Sequence, residues 1–256
     1  MIPPGKYRSA WWLALLVSFL SVASAVVHGI GVQVTTGAIG FLDYAEFVVN
    51  VPLDRAETID SRQRLLGIVQ LSVDFLGVLL FLMWVYRANK NARALGAAGM
   101  KYTPGWSVGW FFVPFAGLFM PYWVLKEIWQ VSSPGSDDRL RKTIVSPVLA
   151  LWWLVGVLSG TIRYSRWHYF KSEGPTTFAL EFLSKWPEEL TGNRPGLINS
   201  ELEWCWGLML GDVVGIAACT LTIVVILTIT GMQDRKQAMI LELQSVQEEE
   251  LTPVGA

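Results

Sequence analysis

The sequence predicts an all-α fold: a polytopic membrane helical bundle of four full spans plus a proline-broken aromatic segment, re-entrant or kinked. Three observations predict it. The 256 residues are 52% hydrophobic and only 16% charged, with 13 Trp, where a soluble domain carries about 25% charged residues. Four stretches are long and apolar enough to cross a hydrocarbon core, which takes about 20 helical residues. The loops between them carry an uneven distribution of positive charge. Mean hydropathy is +0.41. A net charge of −1 offers no basic excess for nucleic acid. Two Cys and two His exclude a disulfide scaffold and any Cys-rich metal site.

The first span runs from Trp11 to Ile30, interrupted only by Ser, His28 and Gly. Lys6, Arg8 and Ala23-Ser24-Ala25 give it the look of a secretory signal, but the apolar run continues to Ile30. It therefore reads as a retained helix. The second, Leu65 to Tyr86, holds a single acid, Asp74. The third, Ile144 to Ile162, is bounded by Lys142 and Arg163. The last, Cys205 to Thr230, contains Asp212 in a Val, Ile, Leu and Thr background.

Gly105 to Val124 is apolar but a poor straight helix. Pro104, Pro114 and Pro121 punctuate it, and eight of its twenty residues are aromatic. An interior proline removes a backbone donor and clashes with the preceding turn, costing about 3 kcal/mol. Each half between prolines reaches about half a membrane thickness. A hairpin that dips in and returns, shielded by the other helices, suits this pattern, and a kinked full span is the alternative.

Loop charge sets the orientation. Residues 86–104 carry Arg87, Lys90, Arg93 and Lys101 and no acid, so this loop is expected in the cytoplasm with the N-terminus. The 31–64 loop, with Asp43, Glu46, Asp54, Glu57 and Asp60, is expected outside. A returning hairpin adds Lys126, Arg139, Arg141 and Lys142 to the inner face, and both termini are then cytoplasmic. The chain divides into a membrane domain, 1–231, and a cytoplasmic amphipathic tail, 232–256, in which Met232, Met239, Leu243 and Val246 recur at roughly helical spacing. Another amphipathic piece, Pro175 to Trp186, is placed in the outer loop, flat in the interface or capping the bundle.

Gly207, Gly211 and Gly215 recur every four residues on the last helix, and Gly156 and Gly160 repeat the pattern on the helix before it. Small residues let membrane helices approach closely, so these two helices are expected to pack through their glycines.

From Trp84 to Pro134 the chain reads WVYRANKNARALG, then KYTPGWSVGWFFVPFAGLFMPYWVLKEIWQVSSP. The joint spacing of Tyr86-Arg87-Ala88, Asn91, Ala94-Leu95-Gly96, Thr103-Pro104-Gly105-Trp106, Gly109-Trp110-Phe111, Pro114, Pro121-Tyr122, Glu127 and Trp129 resembles a bacterial membrane family known as domain of unknown function 4328. The resemblance covers about a fifth of the chain. It implies a helical membrane fold and the bacterial cytoplasmic (inner) membrane, and it implies no activity. The family pattern has a polar residue between the two later prolines and a basic one before the last, where this chain has Gly117 and Met120. That departure puts a polar ligand site in the dip in doubt.

As a structural unit the motif is self-consistent. Trp84, Arg87 and Asn91 share one helix face. Gly96 is a natural helix stop, and Thr103 suits an N-cap with Pro104 at the first helical position. Arg87 or Asn91 is expected to hydrogen-bond carbonyls freed by Pro114.

Asp74 and Asp212 are the candidate ion or proton site. A carboxylate inside a span costs at least about 2.5–3.5 kcal/mol and usually faces a cavity or a partner. They lie about 13 Å and about 10 Å down their helices from Leu65 and Cys205, depths that let them face each other and titrate together. The structural alternative bonds each to a neighbouring Ser, Thr, Trp or Arg163. His28 and His168 are weak candidates for haem or metal ligation, and Cys205 and Cys219 read as packing residues. No Ser-His-Asp set, HExxH, P-loop or dinucleotide turn stands in a plausible context, so no catalytic residue, metal or cofactor is expected.

These observations lead first to a non-enzymatic scaffold or interaction subunit. The alternative is a small proton- or cation-coupled transporter or channel-like protein using Asp74 and Asp212. A lipid-binding or lipid-sensing role is the third reading. Membrane lipids are the expected partners, with a protein partner for the 232–256 tail and a homo-oligomer both left open.

Overall fold

A computed structural model describes residues 7–47, 53–97, 99–133, 145–172 and 194–251. The elements are α1 (Trp11–Phe47), α2 (Leu53–Ala94), α3 (Pro104–Gly109), a 3-10 turn (Trp110–Phe112), α4 (Ala116–Ser132), α5 (Pro147–Ser172) and α6 (Arg194–Leu251), with no strand among the described residues. The amphipathic piece expected at 175–186 lies outside them.

Three of these helices are long and apolar enough to cross a membrane, over Trp11–Tyr44, Asp54–Ala94 and Leu202–Glu248. The expected count of four is corrected accordingly. The remaining stretch is a shorter apolar helix, Pro147–Ile162. Pro147 starts it, since proline is tolerated in a first turn but not further in. Only about 24 Å of apolar helix then precedes Arg163.

The 31–64 loop is also corrected. Nearly all of it is helix, because α1 continues to Phe47 and α2 begins at Leu53. Hydropathy marks where a helix is apolar, not where it ends, and nothing between Ile30 and Phe47 breaks one. Asp54 in the first turn of α2 complements the helix dipole. Likewise α6 runs unbroken from the last span into the tail as far as Leu251.

The chain divides into two compact units. One comprises 1–19, 76–153 and 221–256; the other comprises 20–75 and 154–220.

The first unit is built on a buried core that includes Ala14, Trp84, Val85, Ala88, Leu125, Ile128, Ile226 and Ile229. Phe81 lies among Trp84, Phe111 and Trp152, with ring centroids 5.8, 6.0 and 5.9 Å away. α2 ends where Gly96 takes a φ of 87° and Ala97 N–H reaches back to Ala92 O, a left-handed stop open to glycine. Thr103 Oγ1 then accepts from Trp106 N–H and caps α3 at Pro104.

The aromatic segment reverses direction. Helix is lost between Phe112 and Ala116, around Pro114, where Phe115 takes a φ of 59°. The backbone N–H groups of Lys101 and Tyr102 donate to the Glu127 carboxylate at 2.6 and 3.2 Å. A straight helix over those residues would hold its ends about 40 Å apart. Gly117 sits where an added Cβ would stand 3.0 Å from the Phe111 carbonyl, so the tight turn needs its missing side chain. Pro121 is accommodated inside α4, and one turn before it the Leu118 carbonyl accepts from Trp153 Nε1–H at 2.6 Å. Of the two sequence readings, the chain adopts the hairpin path.

In the second unit Ala38, Phe41, Leu42, Ala56 and Cys205 form a small buried core, and Arg55 lies over the Phe41 ring. Contacts run from Phe41 to Arg55 and from Ser24 to Asp74. As numbering rises along α1 it falls along α2, so the two helices are antiparallel here.

Candidate functional site

Three helices of the second unit each turn one face inward with the same spacing. α1 presents Ser24, His28, Gly31 and Thr35. α2 presents Gln63, Gly67, Gln70 and Asp74. α6 presents Leu208, Asp212, Gly215 and Cys219. Steps of four, three and four keep a residue set on one helix face. The three faces line a cavity of about 350 Å³, with Ser24, Gly215 and Cys219 packed behind its wall.

His28 and Asp212 are both almost wholly buried, with His28 Nδ1 2.9 Å from Asp212 Oδ1. An ionised carboxylate makes Nδ1–H the donor. Two glycines make the pair possible. A Cβ on Gly215 would collide with the His28 ring, and one on Gly31 would collide with the Asp212 carboxylate, both closer than 3.0 Å. His28 Nε2, on the far side of the ring and against Gly215, has no hydrogen-bond partner among the described residues.

Asp74 belongs to a second cluster on the same cavity. Its Oδ1 accepts from Ser24 Oγ and from Gln70 Nε2, each at 2.8 Å. Gln70 Nε2 also reaches Ser24 Oγ at 2.7 Å, and Cys219 Sγ lies 3.4 Å from that oxygen. Because its NH₂ faces a carboxylate, the Gln70 amide has a fixed orientation. Among the described residues its Oε1 is buried without a partner, and so is Gln63 Nε2. Buried polar atoms are normally satisfied, so three unsatisfied ones on residues of one cavity mark it out.

Asp74 and Asp212, expected from the sequence to face each other, thus line one cavity. His28, a weak candidate, proves to be the partner of Asp212. Gln63, Gln70 and Ser24 were not singled out by the sequence reading, which weighed charged residues. The four-three-four spacing of polar and small residues was the signal that marks them. Cys205 is buried in the small core, and the side chain of His168 lies outside the described residues. Gly156, Gly160 and Gly207 are exposed, with nothing within 4 Å of an added Cβ, and Gly211 is buried. The tight glycine contact falls instead at Gly215, and its neighbour is His28.

The motif residues gather in the first unit, where their hydrogen bonds are internal. Trp84 Nε1–H donates to Thr230 Oγ1 at 3.0 Å. Asn91 accepts from Arg8 N–H and donates to Gln233 Oε1, each at 3.4 Å. Gln233 donates to the Ala88 carbonyl at 2.8 Å and to Ser132 Oγ at 3.0 Å. Asn91 therefore serves α6 and the N-terminus rather than carbonyls near Pro114, and Arg87 is half-buried on the same face. Arg93, not Arg87, donates to loop carbonyls, at Met100 and Tyr102. Gly105 has open space around it, and Trp106 is exposed beside Trp110. Tyr7 donates to Asp234. Burial, and then the bond to that carboxylate, push the Tyr7 hydroxyl well above its ordinary pKa. Burial and the Glu127 carboxylate raise Tyr102 as well.

Among the described residues no group of three His, Cys, Asp or Glu converges as a metal site would require. A family model described as a domain of unknown function (DUF4328) matches residues 48–231. No curated protein and no solved structure matches the chain.

Proposed function

The chain belongs to that family, DUF4328, and on this premise we propose that it is a small proton- or cation-coupled transporter or channel-like membrane protein. The observation that carries the reading is the buried His28–Asp212 pair on the cavity that Asp74 also lines. Ionisable groups held inside a membrane segment are costly and are kept for pathways and relays. On this reading the protein moves an ion and performs no covalent chemistry.

We place it in the bacterial inner membrane with both termini in the cytoplasm. Tyr7 meets Asp234, Arg8 meets Asn91, and Asn91 meets Gln233. The N-terminus, the end of α2 and the exit of the last span therefore share one side. Arg8, Arg93, Lys101 and Lys236 belong to the same unit, which the charge rule assigns to the inside.

The test is ion-dependent flux into liposomes containing the purified protein. Asp74→Asn and Asp212→Asn should each abolish it while the variants still elute as folded protein. Normal flux in both variants refutes the reading. The scaffold role keeps one supporting observation: the tail end of α6 exposes Met239, Leu241, Leu243 and Val246. Removing residues 234–256 should then cost a co-purifying partner.

A further inference from the structure

We propose that the exposed stripe of α4 seats one anionic phospholipid, with an acyl chain along Phe115, Phe119 and Trp123 and the phosphate on Lys126. The inference lies wholly in the first unit and is independent of the ion pathway proposed for the second. From the cap of α4 onward, these four residues follow at steps of four, four and three, which keeps them on one helix face. Exposure falls along the stripe from 86% at Phe115 through 56% at Phe119 to 49% at Trp123. Lys126 is half-buried at its end, with Nζ 4.8 Å from the Trp123 ring centroid and 5.9 Å from that of Tyr122.

Length, charge and the tip choose the occupant. Between Phe115 and Lys126 the helix rises about 16 Å, close to the hydrocarbon depth of one leaflet. No carboxylate stands within ion-pair distance of Lys126 among the described residues. Its neighbour Glu127 is engaged by the N–H groups of Lys101 and Tyr102. The ammonium keeps its donors for a phosphate oxygen while the rings hold it beside the stripe. A zwitterionic lipid brings its own cation to that phosphate, so an anionic one gains more. At the tip, Ala116 N–H donates to the Pro114 carbonyl at 2.7 Å across Phe115, whose φ is 59°. That is a γ-turn of the strained kind, which glycine would take freely. A phenyl ring held out there belongs in hydrocarbon. A second copy fits the stripe poorly. Two copies in one membrane share an orientation, so a two-fold axis pairs equal depths and would set Lys126 against Lys126.

The experiment titrates the full chain in detergent micelles with phosphatidylglycerol and with phosphatidylcholine of the same chains, counting bound lipids by native mass spectrometry. The first phosphatidylglycerol should bind at least about fivefold more tightly than the first phosphatidylcholine, the worth of one basic residue near an anionic surface. Lys126→Gln should erase that preference and Lys126→Arg should keep it. Lys90→Gln, at an exposed lysine beside Tyr86 and off the stripe, should leave it unchanged. Phe115→Gly relieves the turn, so it keeps the proposal exposed should Lys126→Gln not fold. It should weaken both lipids by about threefold or more while the preference stays. Equal affinity for the two lipids, a preference that survives Lys126→Gln or falls as far in Lys90→Gln, or unchanged binding in Phe115→Gly overturns the proposal. A lipid-free dimer that Phe115→Gly dissociates also overturns it, because a second copy then covers the stripe. Glycerol phosphate, which has the charge and no chain, should not compete; competition at equal concentration would assign Lys126 to a soluble phosphate and overturn the lipid.

Discussion

Each unit buries a cluster of polar side chains among apolar helices, and the two clusters are built on opposite terms. Around Gln233 in the first unit, donors and acceptors are matched to Asn91, Ser132 and the Ala88 carbonyl. Around the cavity in the second, the groups pair only in part. Of the four buried side-chain atoms without partners among the described residues, three belong to cavity residues, and the fourth, Ser18 Oγ, lies in the first unit. A completed network specifies one packing arrangement. An incomplete one leaves buried atoms unsatisfied, a cost in stability that the completed cluster does not carry.

Five substitutions break or sharpen that contrast. The largest effect is expected from Gln233→Leu, which takes a partner from both Asn91 Nδ2 and Ser132 Oγ and should cost about 3 kcal/mol. Reversible unfolding in mixed micelles reads it, and an unchanged midpoint would mean the matched network does not support the fold. Next is Gly215→Ala, whose methyl displaces the His28 ring and should cost about 2 kcal/mol. Gly156→Ala, in open space, should stay within about 0.5 kcal/mol, and equal costs at the two glycines would deny His28 its tight seat.

Tyr7→Phe should cost about 1 kcal/mol near neutral pH and should also flatten the alkaline limb. The folded hydroxyl holds its proton to higher pH than the unfolded one, so the stabilisation is whole below a pH of about 10 and declines above it. Tyr102 acts with the same sign, so the variant keeps part of the slope. Comparing unfolding midpoints at about pH 8 and about pH 11 tests this, and an undiminished slope in the variant would assign it elsewhere. The smallest effect belongs to Gln63→Leu. Removing an unpartnered donor should leave stability within about 0.5 kcal/mol or raise it, and a loss of 2 kcal/mol or more would make Gln63 part of a completed network.

Much of the first unit was legible in the sequence. Gly96, Thr103, Pro104 and Pro114 act through local backbone geometry, which depends on neighbours along the chain, and each falls where its chemistry suggests. The ends of the long helices were less legible. Membrane spans are recognised by apolarity, whereas α1, α2 and α6 continue as helix through polar sequence where water or packed side chains replace lipid. The site was half legible. Asp74 and Asp212 declare themselves because a charge in an apolar run is conspicuous. Gln63, Gln70 and Ser24 are unremarkable singly, and His28 near Asp212 is a relation between residues 184 positions apart. Only the packing of three helices brings that relation into being.

The closing of the hairpin by Glu127 bears on how the protein is made. Each arm is too short to be held by the membrane as a span, and several of the groups that receive α4 come later in the chain. Trp153 lies on α5; Gln233, which meets Ser132, and Lys236, which donates to the Val131 carbonyl, lie beyond the last span. During synthesis the hairpin can pack on α2 but lacks these contacts with α5 and α6 until those helices are made. A chain that stops before Gln233 still contains every apolar run, yet lacks the residues that seat the hairpin.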